Sequence, residues 1–142
     1  MKYFIPILVL IISSCQKPVS KKDDINHDML EVASISEGRK QFVICLACHN
    51  INKGEPSRGT SKKQIFVGPN LHGVYNRKVA SLSDFKFSEA LKKHSSKSWT
   101  VENLDLYLKS PHRFAPNTSM KFPGIGDPQD RMDVIAYLMS LQ

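Results

Sequence analysis

A five-residue segment, Cys45-Leu46-Ala47-Cys48-His49, constrains the fold of this chain more than any other feature of its sequence. Two thiols at this spacing lie on one face of a helical turn, from which they can add to the two vinyl groups of a haem. The adjoining imidazole of His49 then lies beneath the iron. The segment therefore predicts one covalently attached haem c, with His49 as an iron ligand. Because aromatic residues make up only 8% of the chain, a large apolar group would also help to fill the interior.

Two other uses of a Cys-x-x-Cys pair fit the sequence less well. A thiol oxidoreductase site would open a helix within a βαβ pattern, and no such strands are predicted around Cys45 and Cys48. A zinc site would need further ligands at a matching spacing. The sequence has no second pair of this kind, and His72, His94 and His112 are too far apart to supply one.

The N-terminal residues have the pattern of an exported lipoprotein. An apolar run over residues 3–12 is too short to span a bilayer as a helix and suits the central part of a secretory signal. It ends in Ile12-Ser13-Ser14-Cys15, which resembles a bacterial lipobox. We therefore predict a signal peptide over residues 1–14 and a lipid on Cys15, at the periplasmic side of a bacterial membrane. The alternative is an ordinary signal peptide that leaves Cys15 as a free thiol, a liability in an oxidising compartment.

The predicted tether and the net charge indicate what kind of partner the protein binds. Residues 15–33 are polar, mixed in charge and without sustained periodicity, so we predict a flexible, lipidated tether there. The net charge is +7, from 20 basic and 13 acidic residues. Because no basic block is interleaved with aromatic residues, nucleic-acid binding is not expected. An acidic protein partner or an anionic membrane surface fits the charge better.

Helix signals stand at both ends of the remaining sequence. Ser34 and Glu37 have the spacing of a capping box, which predicts a helix from about residue 35 to residue 49. Its apolar face would carry Ile35, Phe42 and Leu46. Asp127 followed by Pro128 predicts the first turn of a last helix.

Between these helices the sequence predicts short helical segments and loops. Helices are expected near Phe87–Lys93 and over Val101–Lys109. No run of residues alternates persistently between apolar and polar, so we expect negligible strand content and an all-α fold.

The iron would need a second ligand, for which the residues alone leave several candidates. Met132 and Met139 lie on the predicted last helix and fit a core role better, and Met29 lies in the predicted tether. Met120 lies in a loop over residues 116–124, rich in turn-forming residues, that could present its thioether inward. The remaining candidates are histidines: His72, His94 and His112.

Several segments resemble, in the same order, those of class I cytochromes c of the mitochondrial and bacterial c2 type. They are Gly68-Pro69-Asn70-Leu71-His72-Gly73 with Val74 to Lys78, then Trp99, Tyr107 in its predicted helix, the loop from Pro116 to Phe122, and Asp133 to Leu138. The resemblance spans residues 34–142, which we predict to be one cytochrome c domain. It implies an all-α fold in which the N- and C-terminal helices pack around a covalently bound haem.

The resemblance also implies roles for individual residues. His49 and Met120 would be the two iron ligands, and the Pro69 carbonyl would accept a hydrogen bond from the outer ring nitrogen of His49. The other implied haem contacts are Trp99 and Arg77 at a propionate, Tyr107 near the Met120 sulfur, and Phe122 at the exposed haem edge. Gly38 and Phe42 of the first helix would pack against the last helix near Tyr137.

The chain also departs from the family pattern. About eight extra residues, within roughly residues 50–65, are predicted to form a surface loop. Phe87 stands where the family has a tyrosine, and Leu91 where it has an asparagine of the internal hydrogen-bond network. Asn117 replaces a glycine, although asparagine also adopts left-handed backbone angles.

The resemblance implies a monomeric one-electron carrier rather than an enzyme. An iron with two protein ligands has no position free for a substrate, and methionine–histidine ligation raises its reduction potential. The expected partners are acidic redox proteins, such as an oxidase or a quinol-oxidising complex, that dock near Lys40, Lys53 and Lys121. The alternatives are a fixed haem subunit of a respiratory complex, or a haem enzyme or sensor whose sixth ligand is labile.

Overall fold

The computed structural model describes residues 28–57 and 67–142, and helices are its regular elements. They are α1 (Ile35–Phe42), α2 (Glu89–Lys92), α3 (Val101–Lys109), α4 (Pro111–Phe114) and α5 (Pro128–Ser140), with a 3₁₀ segment over Val43–Ala47. The described part of the chain has no β-strand, only one isolated bridge between Lys78 and Ser98. The all-α prediction is therefore confirmed. The predicted signal peptide and Cys15 lie outside the described residues.

The closest contact between helices joins α1 to α5. Gly38 lies so near the α5 backbone that a Cβ atom at this position would overlap the carbonyl oxygen of Asp133. One turn further along, the rings of Phe42 and Tyr137 lie 5.2 Å apart between centroids. Both contacts confirm the predicted packing of the first helix on the last, and they bury Phe42 completely.

The start of α1 is also tied to α5. The Ser34 hydroxyl accepts a hydrogen bond from the Glu37 N–H at 3.3 Å, as an N-cap should. The Ser34 N–H, however, donates to the Asp133 carboxylate at 2.8 Å, and the Glu37 carboxylate pairs with Lys40 instead. Only half of the predicted capping box is therefore formed, because a side chain of α5 supplies the other half.

The first helix is shorter than the sequence predicts. It ends at Phe42, and the chain continues as a 3₁₀ segment with about three residues per turn. This tighter winding turns the following side chains away from the α-helical register, and Leu46 is 41% exposed. Ile35, in the first turn, is 52% exposed. Of the three residues predicted on one apolar face, only Phe42 is buried.

The last helix matches its prediction. The Asp127 carboxylate accepts hydrogen bonds from the N–H groups of Gln129 and Asp130, and Pro128 occupies the first helical position. Met132 is buried in the core and Met139 packs against it, as expected of core methionines. None of the described helices, α5 included, combines the length and apolarity needed to cross a bilayer.

The middle of the chain is helical where predicted, with one addition. α3 has the predicted bounds, whereas α2 covers only the centre of the predicted segment. The short helix α4, which the sequence analysis missed, begins directly after Ser110 with a proline at its first position. Residues 28–31 are helical, and Met29 and Leu30 pack against the core. The last part of the predicted tether therefore packs against the folded domain. The boundary of the tether at residue 33 stays a prediction.

The insertion predicted as a surface loop is partly internal. Within its described residues, Asn50 is 3% exposed and Ser57 is fully buried. The Ser57 N–H and hydroxyl both donate to the Asp84 carboxylate, at 2.5 and 3.1 Å, and the same hydroxyl accepts a bond from the Asn70 N–H. The surface-loop prediction is wrong for Asn50 and Ser57. The Asn50 amide donates to the carbonyl of Pro56, and Ser57 donates to the carboxylate of the exposed Asp84.

We predict that Gly38→Ala destabilises the protein by about 3 kcal/mol or more, because the added methyl group forces α1 away from α5. Gly126→Ala is the matched control, since a Cβ there meets nothing within 4 Å, and we expect a change of about 0.5 kcal/mol or less. Chemical denaturation measures both free energies of unfolding. Equal stability of the two variants would contradict the close packing of the helices.

Candidate haem-binding site

A cavity of about 350 Å³ lies at the centre of the described residues and has mostly apolar walls. It is large enough for a small-molecule or cofactor site. All nine haem-site residues predicted from the sequence line it: Cys45, Cys48, His49, Pro69, Arg77, Trp99, Tyr107, Met120 and Phe122. The fold thus brings together side chains that are widely separated in the chain.

The orientation of His49 is set by a hydrogen bond to the backbone. Its Nδ1 lies 2.7 Å from the carbonyl oxygen of Pro69. Because a carbonyl only accepts, Nδ1 carries the proton and Nε2 keeps a free lone pair. Burial lowers the pKa of His49, while the bond to Pro69 acts in the opposite direction. A neutral imidazole with Nε2 available is the form that binds iron.

The ring of His49 also lies directly against Gly68. A Cβ atom at residue 68 would overlap the ring carbon Cε1 and would lie 2.6 Å from Nδ1 and 2.8 Å from Nε2. The Gly68 N–H donates to the carbonyl of Cys48 at 2.8 Å, which holds the two segments together. The sequence analysis missed this role. The sequence signal for this role is that Gly68 immediately precedes Pro69, whose carbonyl binds His49.

The two cysteines are held in a tight turn. The N–H groups of Cys48 and His49 both donate to the carbonyl of Cys45, at 3.0 and 2.9 Å. Burial, and to a smaller extent Cys48, raises the pKa of the Cys45 thiol to about 11. These surroundings disfavour a thiolate but accept a thioether, which carries no charge. The apolar cavity, the two thiols and the oriented imidazole therefore fit a covalently bound haem.

Met120 is presented by a loop with defined backbone geometry. Asn117 has φ +67°, which confirms that asparagine takes the left-handed conformation there. The buried Thr118 donates its N–H to the Ala115 carbonyl at 2.9 Å, and its hydroxyl accepts a bond from the Met120 N–H at 3.4 Å. Burial raises the pKa of Tyr107, while a hydrogen bond to the Thr118 side chain acts in the opposite direction. Tyr107 therefore lies beside the loop that carries Met120.

Trp99 and Tyr107 line one side of the cavity, and the ring of Phe114 packs against both of them. The ring centroid of Trp99 lies 4.9 Å from that of Tyr107 and 5.8 Å from that of Phe114. Tyr107 and Phe114 meet edge to face at 5.4 Å. Aromatic pairs at these distances stabilise one another beyond the area they bury. Phe114 lies in α4, so the unpredicted helix completes this cluster.

Arg77 stabilises the segment that carries Pro69. Its guanidinium donates to the carbonyl oxygens of His72 at 3.0 Å and Asn70 at 2.9 Å. Burial lowers the pKa of Arg77, and the nearby Asp84 carboxylate acts in the opposite direction. These bonds use two of its five N–H donors. Contact with a haem propionate, which the resemblance implies for Arg77 and Trp99, stays a prediction.

The two family departures make the cavity wall more apolar. Phe87 and Leu91 are buried and line the cavity. Phe87 packs edge to face against Phe85, with 4.9 Å between ring centroids. Ala80, which also lines the cavity, has a left-handed backbone with φ +56°. The resemblance implies a hydroxyl and an amide at these two positions, and neither Phe87 nor Leu91 carries such a group.

Comparison with known proteins identifies the same family from independent evidence. The family model described as cytochrome c matches residues 35–142. A cytochrome c homolog of Rickettsia prowazekii is 35% identical over 121 residues, which cover 84% of this chain and 64% of that protein. A cytochrome cy of Rhodobacter capsulatus is 43% identical over 97 residues, 68% of this chain and 43% of that protein. The chain thus spans less than two thirds of the length of these relatives.

A solved structure is similar over most of the chain. Cytochrome cH from Methylobacterium extorquens has a TM-score of 0.64 and 37% sequence identity. The match covers 76% of this chain and 99% of the chain of cytochrome cH. The likeness therefore extends over nearly the whole of the solved chain.

We predict that Gly68→Ala destabilises the haem-loaded protein by about 2–3 kcal/mol, because the new methyl group overlaps the His49 ring. Gly54→Ala is the control. Gly54 has a left-handed backbone, but a Cβ there has open space, so about 1 kcal/mol of backbone strain is expected. Denaturation followed by haem absorption measures both losses. A smaller loss for Gly68→Ala than for Gly54→Ala would exclude the steric role of Gly68.

Proposed function

The chain belongs to the cytochrome c family, and from this premise we propose that it is a one-electron carrier. One haem c, attached through Cys45 and Cys48, is its redox group. The observation that supports the proposal most directly is that His49 and Met120 line the same cavity as the two cysteines. With both as ligands, the iron has no position open to a substrate, and the haem supplies one-electron exchange.

His49 and Met120 have different tasks in this proposal. Pro69 and Gly68 hold the His49 ring from two directions, so that the ligand moves little between oxidation states. The Met120 thioether is a weak donor that favours the reduced iron and raises the reduction potential. The Thr118 hydroxyl accepts a bond from the Met120 N–H and so restrains the loop from which Met120 extends. A rigid ligand set keeps the reorganisation needed for electron transfer small.

The apolar wall acts in the same direction as the methionine. Phe87 and Leu91 are apolar and buried at positions where the family resemblance implies polar side chains. A site of lower polarity disfavours the more highly charged oxidised iron, so burial also raises the potential. We expect the reduction potential to be set jointly by the Met120 ligand and by this wall.

We propose that the carrier is anchored by a lipid on Cys15 at the periplasmic side of a bacterial membrane. The support is the lipobox-like sequence and the apolar run before it. Because residues 28–33 lie at the folded domain, the tether would comprise residues 16–27. Pulled straight, these twelve residues would reach about 40 Å. The domain would remain within reach of membrane complexes.

The proposed partners are acidic redox proteins, such as a terminal oxidase or a quinol-oxidising complex, and the carrier is proposed to be monomeric. The support is the net charge of +7 and the position of Lys121, which is exposed and lies at the cavity lining beside Met120. Lys40 and Lys53 are also exposed, although Lys40 pairs with Glu37 at 2.8 Å. Charge steering of this kind speeds encounters more than it tightens binding.

The ligand assignment is tested by substituting the methionines with leucine, which keeps their volume. We expect Met120→Leu to abolish the weak sulfur-to-iron absorption band of the oxidised protein and to produce a high-spin spectrum. Met132→Leu and Met139→Leu should retain the band, because these side chains belong to the core. The visible spectra of the oxidised and reduced proteins give the result.

A wild-type protein without the sulfur-to-iron band, which takes up external ligands readily, would contradict the electron-carrier proposal. An open iron position would instead indicate a haem enzyme or sensor. Retention of the band in Met120→Leu together with its loss in Met139→Leu would reassign the ligand but keep the function.

The docking proposal predicts that electron exchange with an acidic redox protein slows as salt is added, since exposed charges are screened. Lys121→Glu should lower the bimolecular rate about tenfold at low ionic strength, because it reverses a charge at the haem edge. Lys93→Glu is the control, since Lys93 is exposed but does not line the cavity. Stopped-flow kinetics at several ionic strengths measure the rates. Rates that do not change with salt would exclude charge-steered docking.

A further inference from the structure

A buried ion pair joins α3 to α5 outside the haem cavity. Nε of Arg131 lies 2.6 Å from Oδ1 of Asp105, and the two side chains are only 5% and 11% exposed. Neither residue is among those that line the cavity of the described chain. Buried charges need close partners, because removal of one leaves the other in a medium that solvates it poorly.

Arg131 also binds the end of the loop that carries Met120. We name residues 115–126 the Met120 loop. Nη1 of Arg131 donates to the carbonyl oxygens of Ile125 at 3.0 Å and Gly126 at 2.9 Å. The Ile125 N–H donates in turn to the carbonyl of Leu108 in α3 at 2.8 Å. One guanidinium therefore connects two helices and the last residues of this loop.

The same end of the Met120 loop, at Gly124, also packs tightly against the backbone of α3. Gly124 has a left-handed backbone, and a Cβ atom there would overlap the carbonyl oxygen of Lys109. The other end is held by the Ala115 N–H, which donates to the carbonyl of Pro111 in α4 at 2.9 Å. Met120 lies between these two attachments, half-buried. Its position therefore depends on both ends staying in place.

We infer that the Asp105–Arg131 ion pair is a positioning element that keeps the Met120 loop closed and so sets how readily Met120 leaves the iron. This inference rests on the proposed ligation by Met120. Without the Asp105 carboxylate, the Arg131 charge would be buried and poorly compensated. The charge can be solvated if the end of the Met120 loop opens locally. Such opening admits water to the guanidinium and releases the carbonyls of Ile125 and Gly126.

The mechanism separates local opening from global unfolding. Opening the Met120 loop would expose one face of the iron to added ligands, while α1 and α5 stay packed through Gly38 and Phe42. A ligand such as imidazole then competes with Met120, and its apparent affinity reports the fraction of open loop. Loss of stability elsewhere in the fold would not raise this affinity.

The test compares two buried aspartates that both bond to neighbouring groups. Asp105→Asn keeps the shape and an acceptor oxygen but removes the charge. We expect the imidazole dissociation constant of the oxidised protein to fall at least tenfold, and the sulfur-to-iron band to weaken on mild warming. Asp133→Asn is the control, because Asp133 binds Ser34 and Gln129 at the other side of α5. It should lower the denaturation midpoint while the imidazole affinity stays within twofold.

A second variant, Arg131→Lys, keeps the positive charge but loses the guanidinium fork that reaches the loop carbonyls. It should raise imidazole affinity in the same direction as Asp105→Asn. If the wild-type band is present and neither variant changes imidazole affinity by more than twofold, the positioning role is excluded. It is also excluded if Asp133→Asn has an equal effect. If the wild-type protein lacks the sulfur-to-iron band, the ligation by Met120 fails instead.

Discussion

The contact of Gly38 with the backbone of α5 is the interaction on which the other features depend. It brings the two helices close enough for Phe42 to meet Tyr137 and for the Asp133 carboxylate to cap the start of α1. The 3₁₀ segment that follows α1 carries Cys45, and Cys48 caps its C-terminal end. The position of this segment, and so the place where haem is attached, is therefore set by how closely one small residue lets two helices approach.

The site divides into a rigid side and a side held by a loop. His49 is fixed by a backbone carbonyl and by contact with Gly68, and neither restraint relies on a distant charge. Met120 is held through its loop, whose ends are attached by backbone bonds and by Arg131. A difference in mobility between the two ligands follows from this arrangement. Local opening, where it occurs, should begin on the methionine side.

Sequence reasoning was successful where the signal is local. The Cys45-to-His49 segment predicts its attachment chemistry within five residues, and Asp127 with Pro128 predicts the start of α5 within two. The family resemblance then placed Pro69 and Met120 at the cavity, because it carries information about contacts over long distances in the chain. The hydrogen bond between His49 and Pro69 is present as the resemblance implies.

The features that were missed depend on partners that no local pattern reveals. Asn50 is bonded to the Pro56 carbonyl, and Ser57 to the carboxylate of Asp84, 27 positions further along the chain. The residues of the Asp105–Arg131 pair lie 26 positions apart on two helices, and in the sequence each has the character of an ordinary exposed charge. The change from α-helix to 3₁₀ after Phe42 is equally hidden, since nothing in the composition of residues 43–47 marks it.

The pairing of α1 with α5 also bears on the order of events while the chain is being made. Their contacts join residues that are far apart in the chain, with 99 positions between Ser34 and Asp133, so none of these contacts can form before α5 has been synthesised. Until α5 has been made, α1 lacks the surface on which it packs. The turn that holds the two cysteines follows α1 directly. The place of haem attachment therefore reaches its final position only after the helix most distant from it in the chain has been synthesised.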